Sequence, residues 1–178
     1  MNTVTELIIA HGAAGRAAFE NNDFRRGPVN VDVILLEKNM RLYRPVGLAE
    51  LQLISASNWT EYPPRLEHQP IFYPVLNFKY AEAIAKNWNT KDDASGHCGF
   101  VTEFDINDEF VARYDVQTVG DRDDVELWVP AEELVDFNKA IDEPIIVTAS
   151  YYGDRFDGDI DGTTQLPISL PTQPRNAG

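Results

Sequence analysis

Residues 100–119 read FVTEFDINDEFVARYDVQTV, and the class of the fold turns on this stretch. Phe100–Ile106 alternates roughly as a strand should, with apolar positions one residue apart. Phe110–Val119 does the same, with Phe110, Ala112, Tyr114, Val116 and Thr118 on one face. Asn107-Asp108-Glu109 stands between them as a link, so the two runs are expected to form a β-hairpin. Two consecutive strands with no helix between them do not belong in a doubly wound parallel sheet. The stretch therefore predicts an α+β fold.

The flanking segments agree with that class. Upstream, Met40–Val46 (MRLYRPV) reads as a short strand ending near Pro45. Gly47–Ser55 (GLAELQLIS) follows as a helix with Leu48, Leu51 and Ile54 inward. Ser57–Gln69, with Tyr62-Pro63-Pro64-Arg65, reads as an extended loop. Ile71–Leu76 (IFYPVL) is a strand interrupted by Pro74, hence an edge or a bulge. Asn77 is placed to cap a helix through Asn89 with Tyr80, Ala81, Ile84, Ala85 and Trp88 as its buried stripe. Downstream, Gly120–Asp124 is a turn and Val125–Val129 (VELWV) a strand. Pro130 suits the first position of a helix to about Ile141, and Ile145–Tyr152 is the last strand. The expected architecture is a mixed, mainly antiparallel sheet with three to four helices. At the N-terminus, Thr3–Asn21 has helical spacing and Val29–Leu36 that of a strand. The chain thus divides into an extension at 1–39, a core at 40–152 and an irregular tail at 153–178. The tail is expected to dock through Leu166, Ile168 and Leu170.

Composition narrows the function classes. The 178 residues carry 15 Lys+Arg against 29 Asp+Glu, a net charge of -14. Phosphate neutralisation and docking on anionic lipid both need a basic surface, so neither a nucleic-acid nor a membrane partner is expected. No apolar run is long enough to span a bilayer. The opening MNTVTELIIAHGAAG lacks a basic region before its apolar stretch, and Cys98 is the single cysteine. Both point to a cytoplasmic protein. The acidity is concentrated: 14 acids and three bases fall between Val101 and Glu143. Such a face is either a solvated, repulsive surface or a docking surface for a basic partner. The oligomeric state is left open.

Standard catalytic signatures are missing. No phosphate-binding glycine loop and no nucleophile elbow occurs. His11, His68 and His97 are scattered, and His97-Cys98 reads more simply as a small buried cysteine beside a histidine. Asp157-x-Asp159-x-Asp161-Gly162 opens like a calcium loop, but its twelfth position is Ile168 where a bidentate Glu belongs, so no metal is expected. More informative are Tyr43-Arg44-Pro45, Phe72-Tyr73-Pro74 and Glu126-Leu127-Trp128. Each places a charged head or a ring near a turn. Arg offers a planar fork to phosphate and rings offer stacking surfaces, while the plainer alternative makes the rings core and the charges surface.

The segments RLYRPVGLAELQLI, YPPRLEHQPIFYPVLNFKYAEAIAKNWNTKD and ELWVPAEELVDFN, in that order, resemble a family of small bacterial proteins often labelled ADP-ribosylation/crystallin J1. The resemblance covers about Arg41 to Tyr152. Crystallin J1-type hydrolases are larger, all-helical enzymes with a two-magnesium site, and that activity is not carried over. The element order instead is similar to the ADP-ribosyltransferase fold, whose early strand bears Arg or His, whose middle strand bears Ser or Tyr, and whose late strand bears a catalytic Glu. The resemblance implies NAD as cofactor. Arg44 would bind its pyrophosphate or ribose, Tyr73 would stack on nicotinamide, and Asn77 would add an amide. Glu126 would hold the ribose hydroxyl and stabilise the oxocarbenium-like cation. This chain departs from the pattern in lacking a Ser-Thr-Ser run, in carrying Asp124 two residues before Glu126, and in placing Pro45 and Pro74 directly after two would-be site residues. The alternative to a transferase is a non-catalytic acidic interaction module, such as an immunity or regulatory protein, docking a basic partner through 101–143.

Overall fold

A computed structural model describes residues 38–174. The helix and strand expected at Thr3–Asn21 and Val29–Leu36, together with His11, lie outside the described residues. Chain order gives β1 (Asn39–Val46), α1 (Leu48–Ala56), β2 (Ile71–Phe72), α2 (Phe78–Asn87), β3 (Cys98–Asn107), α3 (Asp108–Val111), β4 (Val116–Thr118), β5 (Val125–Leu127), β6 (Val129–Pro130), α4 (Leu134–Lys139) and β7 (Ile146–Tyr152). The class is α+β, and every strand pairing among the described residues is antiparallel. No helix among them is long and apolar enough to cross a membrane.

The central sheet has the order β1-β3-β7. Its strands alternate, so each face collects every second residue. One face presents Leu42, Val46, Phe100, Phe104 and Ile106. These pack with Leu51 and Ile54 of α1, Phe137 of α4, and Trp59, Tyr62 and Phe72 from the preceding loop and β2. The opposite face presents Tyr43 and Val101 to Ala81 and Ala85 of α2. That helix lies close because β3 offers Gly99 beneath it. A Cβ on Gly99 would collide with the Ala85 carbonyl oxygen, a backbone contact that no rotamer change relieves.

A proline sets where the pairing of β1 with the 71–76 segment stops. Tyr43 exchanges both backbone bonds with Val75, at 2.9 and 2.8 Å, so β1 turns the N–H groups of its odd-numbered residues toward the 71–76 segment. Pro45 has no N–H to continue that ladder, and the pairing shrinks to one bridge. The same segment bridges onward from Val75 to Glu126. Beyond Glu126, β4 closes a hairpin on β5 across the 119–124 turn.

The 100–119 stretch departs from expectation, although the class it predicted stands. β3 pairs with β1 and β7, not with its sequence neighbour. Instead of a hairpin link, Asn107 caps a helical turn: its Oδ1 accepts the Phe110 N–H at 2.9 Å. Asp108 and Glu109 then sit in the first turn, where carboxylates complement the helix dipole. The period-two pattern of 110–114 is thereby overruled, and a strand resumes only at Val116. Pro130 ends β6 and precedes a short 3-10 turn instead of opening α4 directly. Asn77 does cap α2, its Oδ1 accepting from the Tyr80 N–H, but that helix ends at Asn87 and Trp88 is 73% exposed instead of buried. In the tail Leu166 is buried and Leu170 packs on the core, while Ile168 stays in solvent.

Candidate functional site

The expectation from sequence gathers Arg44, Tyr73 and Glu126 in one cleft with Asn77 beside them. Register decides otherwise for Arg44. Tyr43 opposes Val75 and Val75 opposes Glu126. Directly opposed residues share a face, so Glu126 lies on the α2 side of the sheet. Arg44, the next residue after Tyr43 in an extended strand, points to the other side.

There Arg44 is 7% exposed and each of its three guanidinium nitrogens donates a hydrogen bond. Nε and Nη2 donate to the two carboxylate oxygens of Glu50 at 2.7 and 3.1 Å, and Nη1 donates to the Tyr73 carbonyl at 3.2 Å. The Phe72 ring lies 4.6 Å beneath it. A bidentate fork closed by a carboxylate and a carbonyl has little left to offer a pyrophosphate. Its own carbonyl accepts from Thr102 Oγ1 at 2.8 Å, and Thr102 meets the Tyr62 hydroxyl at 2.9 Å. Burial holds the Tyr62 phenol far above its ordinary pKa. Arg65 approaches Glu50 from the loop, with Nη1 at 3.8 Å, and its Nε is buried without a partner among the described residues. Burial and the neighbouring Arg44 lower its pKa. This is a positioning cluster that ties β1, α1 and the Tyr62–Tyr73 segment together.

Asn77 is equally committed. Beyond its capping bond, Nδ2 donates to the Asp123 carbonyl at 2.6 Å, fastening α2 to the 119–124 turn. Tyr73 and Glu126 do converge, through a residue the sequence reading left out of the site. Trp128 donates its indole N–H to Glu126 Oε1 at 2.7 Å and meets the Tyr73 ring edge-on, with centroids 6.2 Å apart. Tyr80 stands on the same side as Glu126; burial first, then the Glu126 and Asp124 charges, raise its pKa.

Trp128 is 47% exposed, and its outer face walls a groove of about 580 Å³. Tyr114 and Gln117 line the groove with the carboxylates of Asp115, Glu133 and Asp136. Tyr114 donates its hydroxyl to Glu133 Oε2 at 2.7 Å; burial and that carboxylate push its phenol up to about 12. Two cations stand against these acids: Arg113, itself part of the lining, is stacked over the Phe110 ring at 3.7 Å and lies 3.8 Å from Glu133, and Lys139 donates to Asp136 at 2.8 Å. The groove is thus aromatic on its walls and net negative at its rim. It lies wholly within the acidic 101–143 stretch. Sequence reading found the acidity but not the groove, because the lining comes from α3's exit, β4, β6 and α4, which meet only in the folded chain.

The remaining motifs are structural. Asp161 accepts from the Thr163 and Thr164 N–H groups and the Thr164 hydroxyl, so its carboxylate organises a turn. Among the described residues no group of three or more His, Cys, Asp or Glu is arranged to hold a metal ion. His97 pairs through Nε2 with Asp93 at 2.8 Å. Burial pushes the Cys98 thiol up to about 11, the opposite of an activated thiolate.

No protein-family model, no curated protein and no solved structure matches this chain.

Proposed function

We propose that this chain is a non-catalytic interaction module that docks a basic protein partner on its acidic face, with the Trp128 groove as the anchoring site. The observation that carries the reading is an indole left half in solvent and flanked by Tyr114, Asp115, Glu133 and Asp136. Leaving a large ring exposed forgoes burial energy, and half-exposed Trp and Tyr are the residues that anchor interfaces. A Lys or Arg side chain entering the groove would meet a ring face and carboxylates together, the combination that favours a cation. The wider charge of 14 acids to three bases would steer such a partner from a distance.

A second reading keeps the NAD-dependent transfer of ADP-ribose to an unknown acceptor. One observation favours it: the Glu126 carboxylate sits beside the exposed Tyr73–Trp128 ring pair, a stacking surface next to an acid. The arginine it would use is closed by Glu50 on the opposite face.

Titration of Trp fluorescence separates the two. An arginine-rich peptide should bind the wild type, weaken steeply as salt rises, and lose its binding in Trp128→Ala and in Asp115→Lys/Glu133→Lys. Saturable binding of NAD that Glu126→Gln abolishes, with no response to basic peptides, would pass the assignment to the transferase reading.

A further inference from the structure

Among the described residues, β4 pairs with a strand on one edge only. Leu127 donates its N–H to the Pro74 carbonyl and Val125 accepts at its carbonyl from the Leu76 N–H. Both therefore face the 74–76 segment, away from β4. Val119 donates to the Asp124 carbonyl, which fixes the phase of the hairpin from its other end. In an antiparallel pair the hydrogen-bonded and non-hydrogen-bonded couples alternate. Gln117 and Glu126 are thus the bonded couple, whereas Val116 with Leu127 and Thr118 with Val125 are not. The N–H and C=O groups of Val116 and Thr118 point outward, and none has a partner among the described residues. Val116 is 54% exposed, which leaves that outward edge open to approach.

An open strand edge is a template for another strand. The charges around this one restrict which strand. Residues 113–136 hold eight acids and two bases, and Asp115, Asp121 and Asp123 are all exposed beside β4 or its turn. A second copy of the same edge would bring these acids against their like. A basic strand would bring its cations to them.

We infer that the basic partner binds as an extended segment added to the outer edge of β4, pairing with Val116 and Thr118 while one of its cationic side chains enters the Trp128 groove. This rests on the interaction-module reading and supplies its mode. Gln117 joins the two features: its backbone bonds inward to β5 and its side chain lines the groove. An added strand runs alongside the groove and turns alternate side chains toward it. Main-chain pairing supplies affinity with little regard to sequence, and the groove and the acids select for positive charge.

The experiment uses the full chain and a hexapeptide alternating Arg and Thr, capped at both ends, together with the same peptide N-methylated on its central amides. Thr118→Pro is the matching protein variant, because it removes only an outward N–H and leaves the β4–β5 bonds in place. The expected result is binding about tenfold weaker or worse for the methylated peptide and for Thr118→Pro. Amide exchange at Val116 and Thr118 should slow when the unmodified peptide binds, with Gln117 protected beforehand. Equal affinity for both peptides and unchanged exchange at Val116 and Thr118, with binding still lost in Trp128→Ala, would overturn strand addition and leave the groove reading standing. Failure of the unmodified peptide to bind at low salt would overturn both.

Discussion

Two regions of this molecule carry rings beside charges, and they use them in opposite ways. Around Arg44 each nitrogen of the fork donates, two to Glu50 and one to the Tyr73 carbonyl, and the Phe72 ring lies beneath it. Around Trp128 the ring and the carboxylates remain half open to solvent, and the outer backbone edge of β4 has no partner among the described residues. The residue types are nearly the same in both places. What separates them is which face of the paired strands a side chain leaves from, and how closely carboxylates enclose the polar groups there. An arginine on a strand is a candidate ligand-binding group only while its donors are unspoken for.

If the comparison is right, damage to the first region costs stability and damage to the second costs binding. The largest effect belongs to the α2 contact that braces the sheet behind Arg44. Gly99→Ala sets a methyl against the Ala85 backbone and should cost about 3 kcal/mol or more in chemical denaturation. Next is Glu50→Ala, which leaves Arg44 part-buried and unpaired and should cost about 3 kcal/mol. Arg44→Met with Glu50→Leu should recover much of that loss in the same assay. Tyr62→Phe removes the bond to Thr102 and should cost about 1 kcal/mol.

The pH dependence is smaller and of known sign. The Tyr114 and Tyr152 phenols rise from 10.0 to about 12, so their neutral forms are favoured by folding. Their contribution is complete below the unfolded value of 10.0 and is lost as pH climbs from there to about 12. A denaturation series over that range should show falling stability, and Tyr114→Phe should flatten part of the slope. Smallest of all on stability is Trp128→Ala, expected within about 0.5 kcal/mol of wild type because the side chain is half exposed. A thermal melt that placed it with Gly99→Ala would erase the contrast between the regions.

How much was legible in the sequence follows from the range of the interactions involved. β1, α1, the Asn77 cap, the broken strand at Pro74 and β7 depend on local pattern and were readable. The 110–114 stretch misled because Phe110, Ala112 and Tyr114 happen to alternate, although Asn107-Asp108-Glu109 is also a capping sequence, and the cap prevailed. Trp88 falls outside the buried stripe because α2 ends at Asn87, two residues short of the expected Asn89. Of the site residues, Tyr73 and Glu126 were readable as a ring and an acid near turns. Glu50 lay only six residues beyond Arg44, at the first turn of the next helix, and that spacing was the available warning. The Trp128 groove could not be read, since it joins residues up to some twenty positions apart that alternate with unrelated ones.

The most direct test is calorimetric titration of the full chain with the arginine–threonine hexapeptide and, separately, with NAD, at low and high salt. The account predicts peptide binding that fades with salt and disappears in Trp128→Ala, with no heat from NAD beyond dilution. Saturable NAD binding abolished in Glu126→Gln, together with a silent peptide titration, would contradict it.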